Sequence, residues 1–146
     1  MNSRTLLAAA VLALSSLAAS AAPPPAGMLK RVEGEVKVLR GEQQIAGVIG
    51  LPVFPADTIV TGRDGAAGIT FDDNTLMSLG PSARFVIDRF QFNSTTHEGR
   101  FESTLKKGRL AVVSGKIAKH EQDAMKVRTP SSVLGVRGTE FIVEAE

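Results

Sequence analysis

Apolar residues recur every eight positions between residues 67 and 87 of the chain. Each repeat places two apolar residues at positions i and i+2, so both side chains lie on one face of an extended strand. Polar turns at residues 72–74 and 80–82 separate the repeats. The repeating pairs are Ile69 and Phe71, Met77 and Leu79, and Phe85 and Ile87. The pattern predicts three short strands whose apolar faces stack into the core of the fold.

The rest of the chain also has the two-residue period of strands. Valines alternate with charged residues over residues 32–38, and residues 58–61 form a short β-branched run. Residues 90–92 and 101–105 are predicted to form the two arms of a hairpin with a polar tip at residues 93–99. Turn residues occur every 7 to 10 positions, and no window of 12 or more residues in the mature chain, after the amino-terminal apolar run, has a helical period. We therefore predict an all-β fold, arranged as a compact β-solenoid-like stack or meander of short strands.

The amino-terminal residues have the pattern of an export signal. Arg4 precedes an apolar run from Leu6 to Leu17, and Ala19 and Ala21 form a small-x-small cleavage site. A retained membrane helix is the alternative, but the run is short and prolines follow it instead of basic residues. We predict a signal peptide over residues 1–21, a linker over residues 22–31 and one β domain over residues 32–146. The mature chain is expected in the bacterial periplasm or outside the cell.

Composition narrows the classes of function. The chain is 43% hydrophobic and 22% charged, as globular proteins are, and its formal net charge is +2. It contains no cysteine, so no disulfide holds the fold together. It also contains no Trp or Tyr. A surface that stacks sugars or bases usually relies on those residues, so such a platform is not expected.

Seven short elements of the sequence, taken in order, resemble the FecR domain. They occupy residues 34–38, 57–62, 67–75, 79–83, 107–110, 129–130 and 136–141. The resemblance extends over nearly the whole mature chain, from Val32 to Val143, and the last element is the most specific. The structural positions within these motifs are Asp57, Gly108, Arg137, Gly138 and Thr139.

The resemblance implies a β-solenoid-like fold and a role in receiving or relaying a signal in the periplasm. FecR-type sensors carry a cytoplasmic anti-sigma segment and a membrane span before this domain. An export signal stands in their place here, so we expect a stand-alone FecR domain that does not itself act on a sigma factor.

Arg137 is the charged residue whose environment most affects the predicted fold. Counting back by two from Val143 and Phe141 places Arg137 on the inward face, unless Gly138 forms a bulge. A buried arginine needs an acidic partner, so one hypothesis is an Arg137–Asp57 ion pair that fixes the last strand. The alternative is an arginine that faces solvent.

Basic residues are concentrated between residues 106 and 128. This segment could bind an anionic envelope polymer, a nucleotide or an acidic protein, although exposed lysines more often form an ordinary solvated surface. Nucleic acid is not expected as a partner of an exported protein. The basic residues are Lys106, Lys107, Arg109, Lys116, Lys119, Lys126 and Arg128, and Glu121 and Asp123 are the acidic ones.

The sequence lacks signatures of metal binding and catalysis. Residues 72–74 are predicted to form a turn because they lack the spacing of a calcium loop. His97 and His120 are far apart, and Ser131 and Ser132 lack a nucleophile elbow. We therefore expect no cofactor, no metal and no enzyme activity.

We predict a binding or scaffold module that recognises a protein or an envelope ligand through sheet edges and the tip at residues 93–99. One alternative is an accessory that binds peptidoglycan or another polysaccharide through the basic segment. The other is a small envelope hydrolase, which a pocket with two carboxylates, or a serine beside His120, would favour.

Overall fold

The computed structural model describes residues 23–138 and 140–146. The predicted signal peptide and Thr139 lie outside the described residues. The part of the chain that is described forms twelve strands and one short helix, α1 (Lys116–His120). The strands are β1 (Gly27–Glu33), β2 (Val36–Arg40), β3 (Gln43–Ala46), β4 (Pro52–Val53), β5 (Thr58–Thr61), β6 (Ala66–Phe71), β7 (Leu76–Leu79), β8 (Arg84–Phe92), β9 (Gly99–Val113), β10 (Met125–Arg128), β11 (Val133–Gly135) and β12 (Glu140–Ala145).

The strands form one curled, mostly antiparallel sheet with the shape of a half-barrel, and β9 runs through both of its halves. The first half has the strand order β4-β1-β6-β7-β9-β12. The second half has the order β3-β2-β5-β8-β9-β10-β11, in which β10 runs parallel to β9. The prediction of an all-β fold is confirmed.

The core contains all six side chains of the predicted repeat. Ile69, Phe71, Met77, Leu79, Phe85 and Ile87 are each no more than 1% exposed. Two further phenylalanines extend this core, with the Phe101 ring centroid 4.5 Å from that of Phe71 and 5.0 Å from that of Phe90. The two-residue period therefore predicted correctly which side chains are buried.

The structure does not confirm a solenoid-like stack of the three repeats. β6 and β7 are paired as consecutive strands, but β8 does not lie beside β7. The carboxyl-terminal part of β9 pairs with β7, and its amino-terminal part pairs with β8. The sequence period specifies the inward face of each strand and carries no information about which strand is inserted between two repeats.

The predicted hairpin is formed by β8 and β9, and bulges keep its apolar side chains on the inward face. A register shift between Ile87 and Arg89 moves the inward positions from odd to even numbers, so Phe90 follows Ile87 into the core. A second shift lies between Leu105 and Lys107, just before Gly108, whose φ of 94° lies in the left-handed region. A Cβ at Gly108 would lie 2.6 Å from the Cα of Ala83, so only glycine fits at this corner of β9.

The carboxyl-terminal part of the predicted linker needs correction. β1 begins at Gly27, and Ala26 and Leu29 are completely buried. Leu29 lies opposite Ile69 in β6, so this segment completes the first half of the sheet. The prolines at residues 23–25 obscured the start of β1, and a bulge after Leu29 interrupts its alternation.

Candidate recognition surfaces

Asp57 is a structural anchor, and its partner is Arg40. The carboxylate is 1% exposed and accepts hydrogen bonds from Nε and Nη2 of Arg40 at 2.9 and 2.8 Å. It also accepts one from the backbone N–H of Phe54 at 2.9 Å, and the guanidinium lies 4.5 Å from the centre of the Phe54 ring. The hydrogen bond to Asp57 raises the pKa of Arg40 above its ordinary value, so the arginine stays charged. These contacts fix the segment between β4 and β5 onto β2.

The predicted Arg137–Asp57 ion pair is wrong. Arg137 is exposed, and it donates a hydrogen bond to Oε1 of Gln122. Val136 is buried, and Gly138 turns the chain with a positive φ before β12 begins. The alternation of β12 therefore does not continue back across Gly138, and Arg137 faces solvent.

The turn at residues 72–74 is confirmed, and it is tied to α1. Asp73 is completely buried, and its carboxylate accepts hydrogen bonds from N–H and Oγ1 of Thr75 at 3.0 and 2.8 Å. The backbone N–H of Ile117 also points to this carboxylate at 3.3 Å. Asp73 thus satisfies donors of the turn and of α1. No group of three or more potential metal ligands exists among the residues that the structure describes.

The basic residues of the predicted segment 106–128 do not form one continuous surface. Lys106 and Lys107 lie at the corner of β9, and Arg109 forms an ion pair with Glu144. Lys119 on α1 lines a small cleft together with Arg137. Only Lys126 and Arg128 project from β10 on the outer side of the second half, and Arg128 lies 3.9 Å from Glu102.

A different set of basic residues does share a surface, on the outer side of β8, β9 and β10. Arg84 lies directly opposite Lys107, and Arg89 and Arg100 lie farther along the same two strands. Two acidic residues, Asp88 and Glu102, are interspersed among them. We call this surface the basic face, and its residues are Arg84, Arg89, Arg100, Lys107, Lys126 and Arg128. The sequence prediction missed three of them, because the pairing of β8 with β9 brings them in from outside the charged segment.

The outer side of the first half carries a patch of exposed apolar side chains. Leu76, Val113 and Ile142 are 46%, 39% and 64% exposed. Leu76 lies opposite Val113, and Ile142 lies opposite Ala111, so the three side chains belong to neighbouring strands β7, β9 and β12. They line a shallow groove of about 610 Å³. We call this group the apolar patch.

The apolar patch ends at a strand with one free edge. β12 pairs with β9 on one side, and no strand pairs with its other side within the described residues. Glu140 and Glu144 flank Ile142 on the same outward face. Because Glu144 is paired with Arg109, the outward face of β12 is apolar at its centre and carries, among the described residues, an uncompensated carboxylate at the Glu140 end.

A third feature is an open cleft of about 640 Å³ that contains two carboxylates. Asp72 and Asp88 line it beside Phe90, Phe92 and the prolines at residues 23–25. Burial, and to a lesser extent the charge of Asp73, raises the pKa of Asp72 above its ordinary value. The Asp88 carboxylate accepts a hydrogen bond from the Thr104 hydroxyl at 2.6 Å.

Comparison with known proteins identifies the family. A family profile described as FecR protein matches residues 57–146. The chain belongs to the FecR family. The match begins at Asp57, so strands β1 to β4 of the half-barrel precede the matched part of the FecR domain. Searches of curated proteins and of solved structures returned no match.

Family membership indicates a signalling-related module associated with the cell envelope. The FecR family is not known for enzyme activity. Among the described residues of this FecR domain, no helix is both long and apolar enough to cross a membrane.

Proposed function

We propose that this FecR domain is an exported, non-catalytic recognition module that binds another envelope protein through the apolar patch and the free edge of β12. The proposal rests on the observation that three exposed apolar side chains lie close together on the neighbouring strands β7, β9 and β12. Exposed apolar groups of this kind are stabilised when a partner covers them. A free strand edge adds backbone donors and acceptors for an extended segment of the partner.

The charges on β12 favour a particular kind of partner. If a second copy of β12 paired antiparallel about Ile142, Glu140 of one copy would lie opposite Glu144 of the other. Like charges in that arrangement repel, and because Arg109 offsets part of the charge of Glu144, the repulsion disfavours self-association only weakly. A partner strand with an apolar centre and a basic residue opposite Glu140 matches both the patch and the carboxylate that has no ion-pair partner in the described residues.

The apolar patch lies on a rigid support. Val112 of β9 and Met77 and Leu79 of β7 are at most 2% exposed on the inner side of the same strands. Because these inner side chains are fixed in the core, the outer ones are held in place before a partner arrives, which reduces the entropy cost of binding.

Site-specific crosslinking tests the proposal. A photoreactive amino acid is placed at position 142, and at position 49 as a control, because Ile49 is 68% exposed but lies outside the patch. We expect position 142 to crosslink in the native envelope to an extended segment that contains basic residues. The additional substitution Glu140→Lys should abolish that crosslink. Equal crosslinking from position 49, or none from position 142, would reject the proposal.

A second candidate function rests on the cleft with Asp72 and Asp88. Two carboxylates, one of which has a raised pKa, are a feature of glycoside hydrolases. This candidate ranks second for two reasons. The charge of Asp73 contributes to the raised pKa of Asp72, and the Asp88 carboxylate already accepts a hydrogen bond from the Thr104 hydroxyl. The purified protein would be incubated with isolated cell wall. Release of soluble fragments that is lost in both Asp72→Asn and Asp88→Asn would favour a hydrolase.

A further inference from the structure

The basic face contains an unfavourable arrangement of charge. Arg84 and Lys107 occupy directly opposite positions on β8 and β9, and both are exposed. Like charges at opposite positions of an antiparallel pair destabilise the sheet. Neither residue forms an ion pair within residues 23–138 and 140–146. An anion bound between the two cations would relieve their repulsion.

The neighbouring strands extend this positive site. Neighbouring strands are about 4.8 Å apart, so β8, β9 and β10 together span roughly 10 Å. Arg128 lies opposite Thr104, two residue pairs along the strands from Arg84 and Lys107, and Lys126 lies opposite Glu102. Arg89 and Arg100 continue the positive charge toward the hairpin tip. The six cations outnumber the two interspersed carboxylates, Asp88 and Glu102, so the basic face carries a net positive charge along the strands.

We propose that the basic face binds a linear polysaccharide that carries carboxylate or phosphate groups. Such a polymer presents anions at regular intervals and needs no aromatic platform when charge provides the attraction. A single-stranded nucleic acid would need aromatic side chains for its bases. The chain has no Trp or Tyr, and all seven Phe side chains are buried or only partly exposed.

This site is independent of the apolar patch. The basic face lies on the second half of the sheet, whereas the patch lies on the first half. Polysaccharide binding by the basic face can therefore be tested independently of protein recognition by the apolar patch. If both are correct, one FecR domain holds a partner protein and an anionic envelope polymer at the same time.

The test uses polygalacturonate, a linear carboxylated polysaccharide, and measures its Kd by calorimetry. The double variant Arg84→Gln, Lys107→Gln removes two charges from the basic face. Lys30→Gln, Arg63→Gln removes the same charge from exposed positions elsewhere and serves as the matched control. We expect the first variant to weaken binding about tenfold, since each lost contact is an exposed charge pair, and the control to change the Kd less than about twofold.

A folding control accompanies the binding measurement. Because the substitutions relieve the Arg84–Lys107 repulsion, the thermal unfolding temperature of the first variant should stay the same or rise. Absence of polygalacturonate binding, or equal weakening in both variants, would overturn the proposal. Tighter binding of duplex DNA or of anionic lipid vesicles, with the same dependence on Arg84 and Lys107, would also overturn the assignment to a polysaccharide.

Discussion

Single residues stabilise this domain where a buried polar group meets its partners. Asp57 ties the loop before β5 to Arg40, and Asp73 ties the turn after β6 to α1. Both carboxylates are at most 1% exposed. A buried charge without partners is costly, so each of these groups makes the local structure depend on one particular contact.

Removal of the partner of Asp57 should destabilise the fold strongly. Arg40→Ala leaves the buried carboxylate with one backbone donor, and we expect a loss of about 2–3 kcal/mol in the free energy of unfolding. Arg31 forms a comparable ion pair with Glu33 on the surface, and Arg31→Ala should cost less than about 1 kcal/mol. Urea denaturation measures both values. Equal losses in the two variants would show that Asp57 is not the anchor described here.

Whereas Asp57 and Asp73 stabilise the fold, the ionised side chain of Asp72 should destabilise it. Its pKa is raised in the folded state, so the folded protein binds a proton at Asp72 more tightly than the unfolded chain does. The ionised side chain therefore destabilises the fold at neutral pH, and this effect disappears below the ordinary carboxyl pKa. Asp72→Asn should raise the Tm at pH 7 but not at pH 3, whereas Glu42→Gln on the surface should not change the Tm. A lower Tm for Asp72→Asn at pH 7 would contradict this account.

At the scale of elements, the corner of β9 connects the two halves of the sheet. Gly108 has a φ of 94°, and its Cα lies against the backbone of Ala83. Gly108→Ala combines an unfavourable backbone conformation with a steric clash, and we expect it to cost at least about 3 kcal/mol. Gly41 has a φ of 60° in open space, so Gly41→Ala should cost only about 1 kcal/mol. Thermal unfolding of the two variants, followed by circular dichroism, provides the comparison. Similar losses would show that the corner tolerates a side chain.

The elements also show what could be predicted from sequence. Alternation is a local property, so it correctly identified the buried faces of β6, β7 and β8. The position of β9 between β7 and β8 depends on contacts between residues that are distant in sequence, so it cannot be predicted from a local pattern. For the same reason Arg84 was not grouped with Lys107. A five-residue helix such as α1 is too short to produce a helical period.

A turn or a bulge also limits how far an alternation pattern can be extended. The count from Val143 to Arg137 failed because Gly138, with a positive φ, bends the chain before β12 begins. The bulge after Ile87 had no such consequence, because the phenylalanines beyond it identified the new inward face. Several apolar residues beyond a bulge therefore show which positions face inward again, whereas a single charged residue beyond a turn gives no such indication.

At the scale of the whole molecule, the half-barrel presents two chemically different outer faces. The first half carries the apolar patch beside the acidic edge of β12, and the second half carries the basic face. One continuous core supports both faces. This arrangement suits an envelope module that holds a protein segment on one half and an anionic polymer on the other.

The central claim is that β12 accepts a partner strand, and amide hydrogen exchange tests it most directly. The probe is a synthetic extended peptide in which isoleucines are flanked by lysines. On its addition, we predict slower exchange for the β12 amides that have no partner on β9, and no change in β11. Ile142→Lys should remove this protection, whereas Ile49→Lys should not. Unchanged exchange in β12, or protection that survives Ile142→Lys, would contradict the account.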